Sequence, residues 1–106
     1  GALGVYGADA PAILDLMRAT PALATPLDAR LPYTGAEVVW AARHEMARTV
    51  EDILARRTRA LFLNARAADA MAPEVSRLMA AELGWDSARQ AAEVAAFSAL
   101  ARGYQL

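Results

Sequence analysis

Apolar residues recur along the chain at the three- and four-residue spacing of helices, most densely between Glu45 and Arg59. Projected at roughly 100° per residue, Met46, Val50, Ile53, Leu54 and Leu61 share one sector, and Glu45, Arg48, Asp52, Arg56 and Arg59 fall opposite. Thr49, followed by Glu51 and Asp52, carries a helix-start signal: a hydroxyl for a free first-turn N–H and two carboxylates at the positive helix end. Two readings follow, one helix through 45–59 or a bend near Ala47 with a new helix from Thr49, and the cap favours the second. Arg57 falls inside the apolar sector, so it is predicted to find a charge partner from another segment, because an unpaired buried charge is costly.

The same patterning predicts a helix from Ala8 or Asp9 to Thr20, with Pro11 in its first turn and Ile13, Leu14, Leu16 and Met17 apolar. Pro21, Pro26 and Pro32 then deny backbone donors to the stretch up to Gly35. Little regular structure is expected there, only an ordered connector pinned by Leu23, Leu27, Leu31 and Tyr33. Thr34 caps a helix to about Glu45, with Val38, Val39, Ala42 and Met46 available for burial and Trp40 for a neighbouring surface. Asn64 caps a helix from Ala65 to Leu83, which Pro73 either kinks or restarts, and Gly84 stops it. Asp86 caps the last helix, which carries Val94, Phe97 and Leu100 and ends at Gly103. The predicted fold is all-α, a bundle of five or six short helices with a proline-rich ordered connector and no convincing strand, forming a single domain over 1–106.

Composition sharpens this picture. The chain has 106 residues, 57% of them hydrophobic, but alanine supplies about a quarter of all positions, so helix is favoured while large core side chains are few. There is no cysteine, which excludes disulfides and thiolate metal sites. A net charge of -1 argues against a nucleic-acid partner. No apolar run approaches the roughly 20 residues needed to span a bilayer, no signal peptide opens the chain, and a soluble domain is expected. Gly1 to Gly7 reads as an incoming linker, as in a fragment of a longer protein.

Few residues suggest chemistry. His44 is the single histidine, and Glu45 beside it points about 100° away on a helix, so the two do not converge on a proton or an ion. No second His or Cys completes a metal site, and no glycine-rich loop follows a strand in the dinucleotide-binding manner. Ser76, Ser87 and Ser98 have no histidine nearby in sequence, and Asp69, Glu74 and Glu82 alternate with Arg66 and Arg77 as on a solvated face. Trp40 and Trp85 read as core or interface aromatics. Arg56, Arg57 and Arg59 match what a phosphate would need, yet Arg48, Asp52 and Arg56 lie one turn apart, as internal ion pairs do.

Glu45, Ala47, Thr49, Asp52, Leu54, Arg56, Arg57 and Thr58 form E-x-A-x-T-x-x-D-x-L-x-R-R-T. This resembles the signature in the C-terminal helical domain of FAD-dependent glycerol-3-phosphate dehydrogenases and oxidases. Tyr6-Gly7, Ala36-Glu37-Val38 and Glu82-Leu83-Gly84-Trp85 fit the family in the same order, while Val5 stands where it more often has arginine. The resemblance implies a parent enzyme that oxidises sn-glycerol 3-phosphate to dihydroxyacetone phosphate, with FAD and substrate held by a preceding domain. On that basis no catalytic, cofactor-binding or metal residue is expected in these 106 positions. Glu45, Thr49, Asp52, Arg56, Arg57 and Thr58 are expected to serve ion pairing or domain contact, and Arg56, Arg57 and Arg59 to be the candidates for an anion. The implied partner is the FAD domain of the same chain, with a homodimer as a further expectation and no nucleic acid or membrane span. The implied location is cytoplasmic, with the parent at the inner face of the membrane. Two other classes remain open from the residues: an independent all-α interaction module, and an anion-binding regulatory domain stabilised by phosphate but not by chloride.

Overall fold

The computed structural model describes residues 10–104, with the side chains of Ala10, Arg56 and Arg57 outside the description. The expected linker, the Tyr6-Gly7 pair and Val5 therefore lie outside the described residues, as does the charge partner sought for Arg57. In chain order the elements are α1 (Ala10–Ala19), a 3-10 turn (Pro21–Ala24), strands β1 (Pro26–Asp28) and β2 (Leu31–Thr34), and α2 (Gly35–His44). A π-helical segment (Asp52–Arg57), α3 (Ala60–Leu63), α4 (Ala65–Leu83) and α5 (Ser87–Arg102) complete them. The architecture is mainly α, a bundle of short helices, as the periodicity predicts.

α4 is the spine. It packs against α5 on one side and α2 on another, and also meets α3, the π-helical segment and β1. Its inward residues Ala67, Ala68, Met71, Ala72, Val75, Leu78 and Met79 form the floor of a core closed by Val38, Val39, Val50, Ile53, Leu54, Leu61 and Phe97. Alanine on the spine lets neighbouring helices come close, so the few large side chains suffice to fill the space between them. Asn64 Oδ1 accepts from Ala67 N at 3.0 Å to open α4, and Gly84 closes it at φ +75°, the left-handed region glycine tolerates. Pro73 sits within this one helix on its exposed side, so of the two readings the restart is excluded. α5 is opened by Asp86, whose Oδ1 accepts from Arg89 N at 2.7 Å. Most of its alanines stay exposed, and only Phe97 and Ala101 are buried.

Three expectations are corrected. The proline-rich connector contains regular structure: β1 and β2 pair antiparallel, Pro26 with Thr34 and Asp28 with Leu31, with an irregularity between. Both strands are edges, so Pro26 opening one and Pro32 within the other can direct their missing donors away from the partner. Asp28 fixes the turn by accepting from Arg30 N at 2.9 Å and from the Arg30 guanidinium at 2.8 and 2.9 Å, which holds its carboxyl down at about 2. Met46, expected to be buried, is 73% exposed and has φ +62° in the link between α2 and the next helix. Glu82 does not belong to a merely solvated face, because Arg43 of α2 grips it through two bonds, at 2.8 and 3.0 Å.

Candidate domain-contact motif

The chain breaks after His44 and restarts at Val50, so the second reading of the 45–59 stretch is the one adopted. The restart is capped reciprocally. Asp52 N donates to Thr49 Oγ1 at 3.0 Å, while Asp52 Oδ2 accepts from Thr49 N at 3.1 Å and from Arg48 N at 2.9 Å. This is a capping box in which aspartate stands where glutamate is usual. Arg48 directs its guanidinium elsewhere, to the carbonyls of Ala47 at 2.8 Å and Ala42 at 3.3 Å, closing the end of α2.

From Asp52 the backbone winds as a π-helix and ends where Thr58 N and Thr58 Oγ1 both donate to Ile53 O, at 2.9 and 2.8 Å. Thr58 Oγ1 also accepts from Ala60 N at 3.3 Å, and Arg59 at φ +60° turns the chain into α3. A π-helix rotates less per residue than an α-helix. Beyond Asp52 the α-helical projection therefore no longer says which face a residue occupies, and the sector assigned to Arg57 loses its basis.

The motif is held from outside by α5, a contact the sequence did not reveal. Glu93 Oε1 accepts from Val50 N at 2.9 Å, Glu93 Oε2 accepts from Arg89 Nε at 3.0 Å, and Arg89 donates to Arg48 O at 3.4 Å. The Arg89 guanidinium also lies over Trp85, 4.6 Å from the ring centroid. Glu93 thus supplies the acceptor that a first-turn N–H lacks inside its own helix. Its distance of 43 residues from Val50 hides it from any local pattern.

Of the residues singled out from sequence, the structure brings Thr49 and Asp52 together in the cap and sets Thr58 at the close of the π-helical segment. Glu45 is half-buried at the end of α2, its N–H donating to Ala41 O at 3.0 Å. Arg59 is exposed, and the Arg56 and Arg57 side chains lie outside the described residues, so the candidate anion contact is described only at Arg59. His44 is exposed, with its ring 4.1 Å from that of Trp40, whose Nε1 is buried without an acceptor among the described residues.

A second missed residue is Glu37, 1% exposed at the start of α2. Thr34-Gly35-Ala36-Glu37 is a capping-box pattern, and that spacing was the signal for it. Thr34 Oγ1 donates to Glu37 Oε1 at 3.4 Å, while Oε2 is buried without a hydrogen-bond partner among the described residues. Burial pushes the carboxyl up to about 7, against the pull of the Thr34 N–H and hydroxyl. Burial, and after it the Glu37 carboxyl, push the Tyr33 hydroxyl up, and the Arg59 charge opposes them.

Among the described residues no group of three or more His, Cys, Asp or Glu is placed to hold a metal. An open cleft of about 560 Å³ between α4 and α5 is lined by Ser76, Gln90, Val94, Ser98 and Arg102 among others, but Ser76 Oγ is committed to Gln90 O at 3.0 Å. No described helix is long and apolar enough to cross a membrane.

The sequence model for the C-terminal domain of alpha-glycerophosphate oxidase aligns with residues 2–90. The chain belongs to that family. It is also similar to full-length proteins: 46% identical over 74 residues to a probable mitochondrial glycerol-3-phosphate dehydrogenase of Caenorhabditis elegans, and 38% over 74 residues to the mitochondrial glycerol-3-phosphate dehydrogenase of Bos taurus. Each alignment covers 70% of this chain and 10% of the relative. The human mitochondrial glycerol-3-phosphate dehydrogenase is 41% identical over 66 residues, which is 62% of this chain and 9% of that protein. The chain thus spans about a tenth of the length of these relatives, and no solved structure matches it. This domain of alpha-glycerophosphate oxidase relatedness carries the capping box and the π-helical segment wholly inside the matched region.

Proposed function

We propose that these residues are the non-catalytic C-terminal helical domain of a flavoenzyme that oxidises sn-glycerol 3-phosphate to dihydroxyacetone phosphate, with FAD accepting the hydride. The observation that carries this reading is the family match over residues 2–90, joined to relatives named glycerol-3-phosphate dehydrogenase. In it the flavin and the substrate are held by a preceding domain, and electrons pass on to quinone or oxygen. The domain described here contributes shape and contact rather than reacting groups.

The described residues of this domain do not fit the flavin nucleotide themselves. The one described strand-to-helix turn, from β2 into α2, contains a single glycine, Gly35. A Cβ there would lie 3.1 Å from Leu23 Cδ2 and 3.2 Å from Leu78 Cδ1, so its bareness serves packing rather than close approach of a pyrophosphate.

The test is a pair of purifications. The full-length parent should copurify with flavin that is bleached by sn-glycerol 3-phosphate under anaerobic conditions, and residues 1–106 alone should bind none. A colourless, inert parent would end this reading, and flavin on the isolated domain would end the division of labour.

A further inference from the structure

α3 is too short to bury its own apolar residues, and it leaves two of them in water. Phe62 is 55% exposed and Leu63 is 63% exposed, while Leu61 beside them is buried. Tyr104, after α5, is 48% exposed and meets Phe62 edge-to-face with ring centroids 5.5 Å apart. The two aromatics thus form one surface feature assembled from segments some forty residues apart in sequence. Single exposed apolar residues are ordinary, but a paired phenylalanine and tyrosine at the surface, with an exposed leucine next in sequence, has the aromatic character enriched in interfaces.

The charged residues that most closely flank Phe62 and Leu63 in sequence are both arginines. Arg59, whose carbonyl accepts from Phe62 N and Leu63 N, precedes it, and Arg66 in the first turn of α4 follows it. Both are exposed, and neither has a carboxylate partner among the described residues. A second copy docking isologously would bring each patch and its arginines against the same patch. Like charges would then crowd a contact that already needs desolvation, which disfavours self-association through this face. A surface with an apolar pocket and an acidic rim is its complement. The relatives are about seven times as long as this chain, since 74 aligned residues make up 10% of each, so in a parent of that length the largest nearby surface belongs to the rest of the same polypeptide.

We propose that the surface made by Phe62, Leu63 and Tyr104, flanked in sequence by Arg59 and Arg66, is where this domain seats on the flavin-carrying remainder of its parent chain. This rests on the parent being the flavoenzyme described above. Phe62 and Leu63 fill apolar contacts at its centre, and the two arginines meet carboxylates at its edge.

The experiment uses the full-length parent with a photoreactive benzophenone side chain at Phe62 or, separately, at Leu63. Isotopically light and heavy preparations are mixed before irradiation, with and without lipid vesicles, and flavin absorbance is read first. The expected result is adducts to residues outside 1–106 in which both ends carry the same label. Mixed-label adducts to a second copy, adducts to lipid, or no adduct from either position in flavin-loaded enzyme would each overturn the seating proposal while leaving the enzymatic reading intact. A parent without flavin would fail at the first readout, so the two failures are told apart. As a second arm, Leu63→Glu in the parent should speed proteolytic release of this domain about tenfold, as expected for losing roughly one large apolar contact. An unchanged release rate would overturn the proposal.

Discussion

Among the described residues, Glu37 is the carboxyl most strongly displaced by its burial. Its carboxyl is raised from 4.5 to about 7 because burial penalises the charge, and the groups facing it are Thr34, Tyr33 and, beyond Tyr33, Arg59. Between pH 4.5 and about 7 the native state keeps this proton while the unfolded chain releases it. Stability therefore falls as pH rises through that window and is flat with respect to this group on either side. Glu37→Gln keeps an oxygen for the Thr34 donors and carries no charge, so its melting temperature should change less than that of the parent sequence between pH 5 and pH 8. An identical decline in both proteins would show that Glu37 does not set the slope. At the restart of the chain after α2, Thr49→Ala removes the acceptor for Asp52 N and should cost about 1 kcal/mol in a denaturant titration.

At the scale of elements the informative joint is the one between α5 and the capped segment. Glu93 gives Val50 N its acceptor and at the same time holds Arg89. Glu93→Ala leaves a half-covered first-turn N–H without a partner and should destabilise by about 1 to 3 kcal/mol. Glu93→Gln, whose amide oxygen can still accept from Val50 N, should recover a large part of that loss. Equal losses in the two variants would assign the effect to the Arg89 ion pair instead. The α2–α4 clamp of Arg43 on Glu82 is a weaker test, since exposed pairs of this kind contribute about 0.2 to 1 kcal/mol. These joints also mark what a sequence can convey. Asn64, Gly84 and Asp86 announce helix ends locally, and each end lies where they place it. The hairpin was obscured because its prolines, read as breakers, occupy edges where a missing donor does no harm. The π-helical winding was obscured because a projection at a fixed angle presupposes the helix type it is meant to detect. Glu93 is out of reach because its partner lies on another element, whereas Glu37 is legible in the Thr34 to Glu37 spacing.

For the whole molecule, stability follows from how little large apolar side chain the sequence supplies. Alanine supplies much of the α4 spine, and α5 buries only Phe97 and Ala101 over its 16 residues. Domains near 100 residues are marginal when their cores are thin, because the entropy of ordering the chain nearly offsets burial. A covering neighbour that binds only the native form adds to stability by mass action, and a tethered neighbour is always near at hand. The amides of α4 from Ala67 to Met79, which lie in the centre of the core, should therefore exchange with solvent more slowly in the full-length parent than in the isolated 106-residue domain. Those of the exposed hairpin turn around Ala29 should differ little, because nothing in the proposed seat touches them. Hydrogen exchange followed by mass spectrometry reads both regions in one experiment. If α4 exchanges equally fast with and without the remainder of the chain, the domain is self-sufficient and its contacts shape the enzyme without stabilising this fold. If α4 and the turn are protected together by the same factor, the neighbour covers the hairpin face, and the seat lies away from Phe62 and Tyr104.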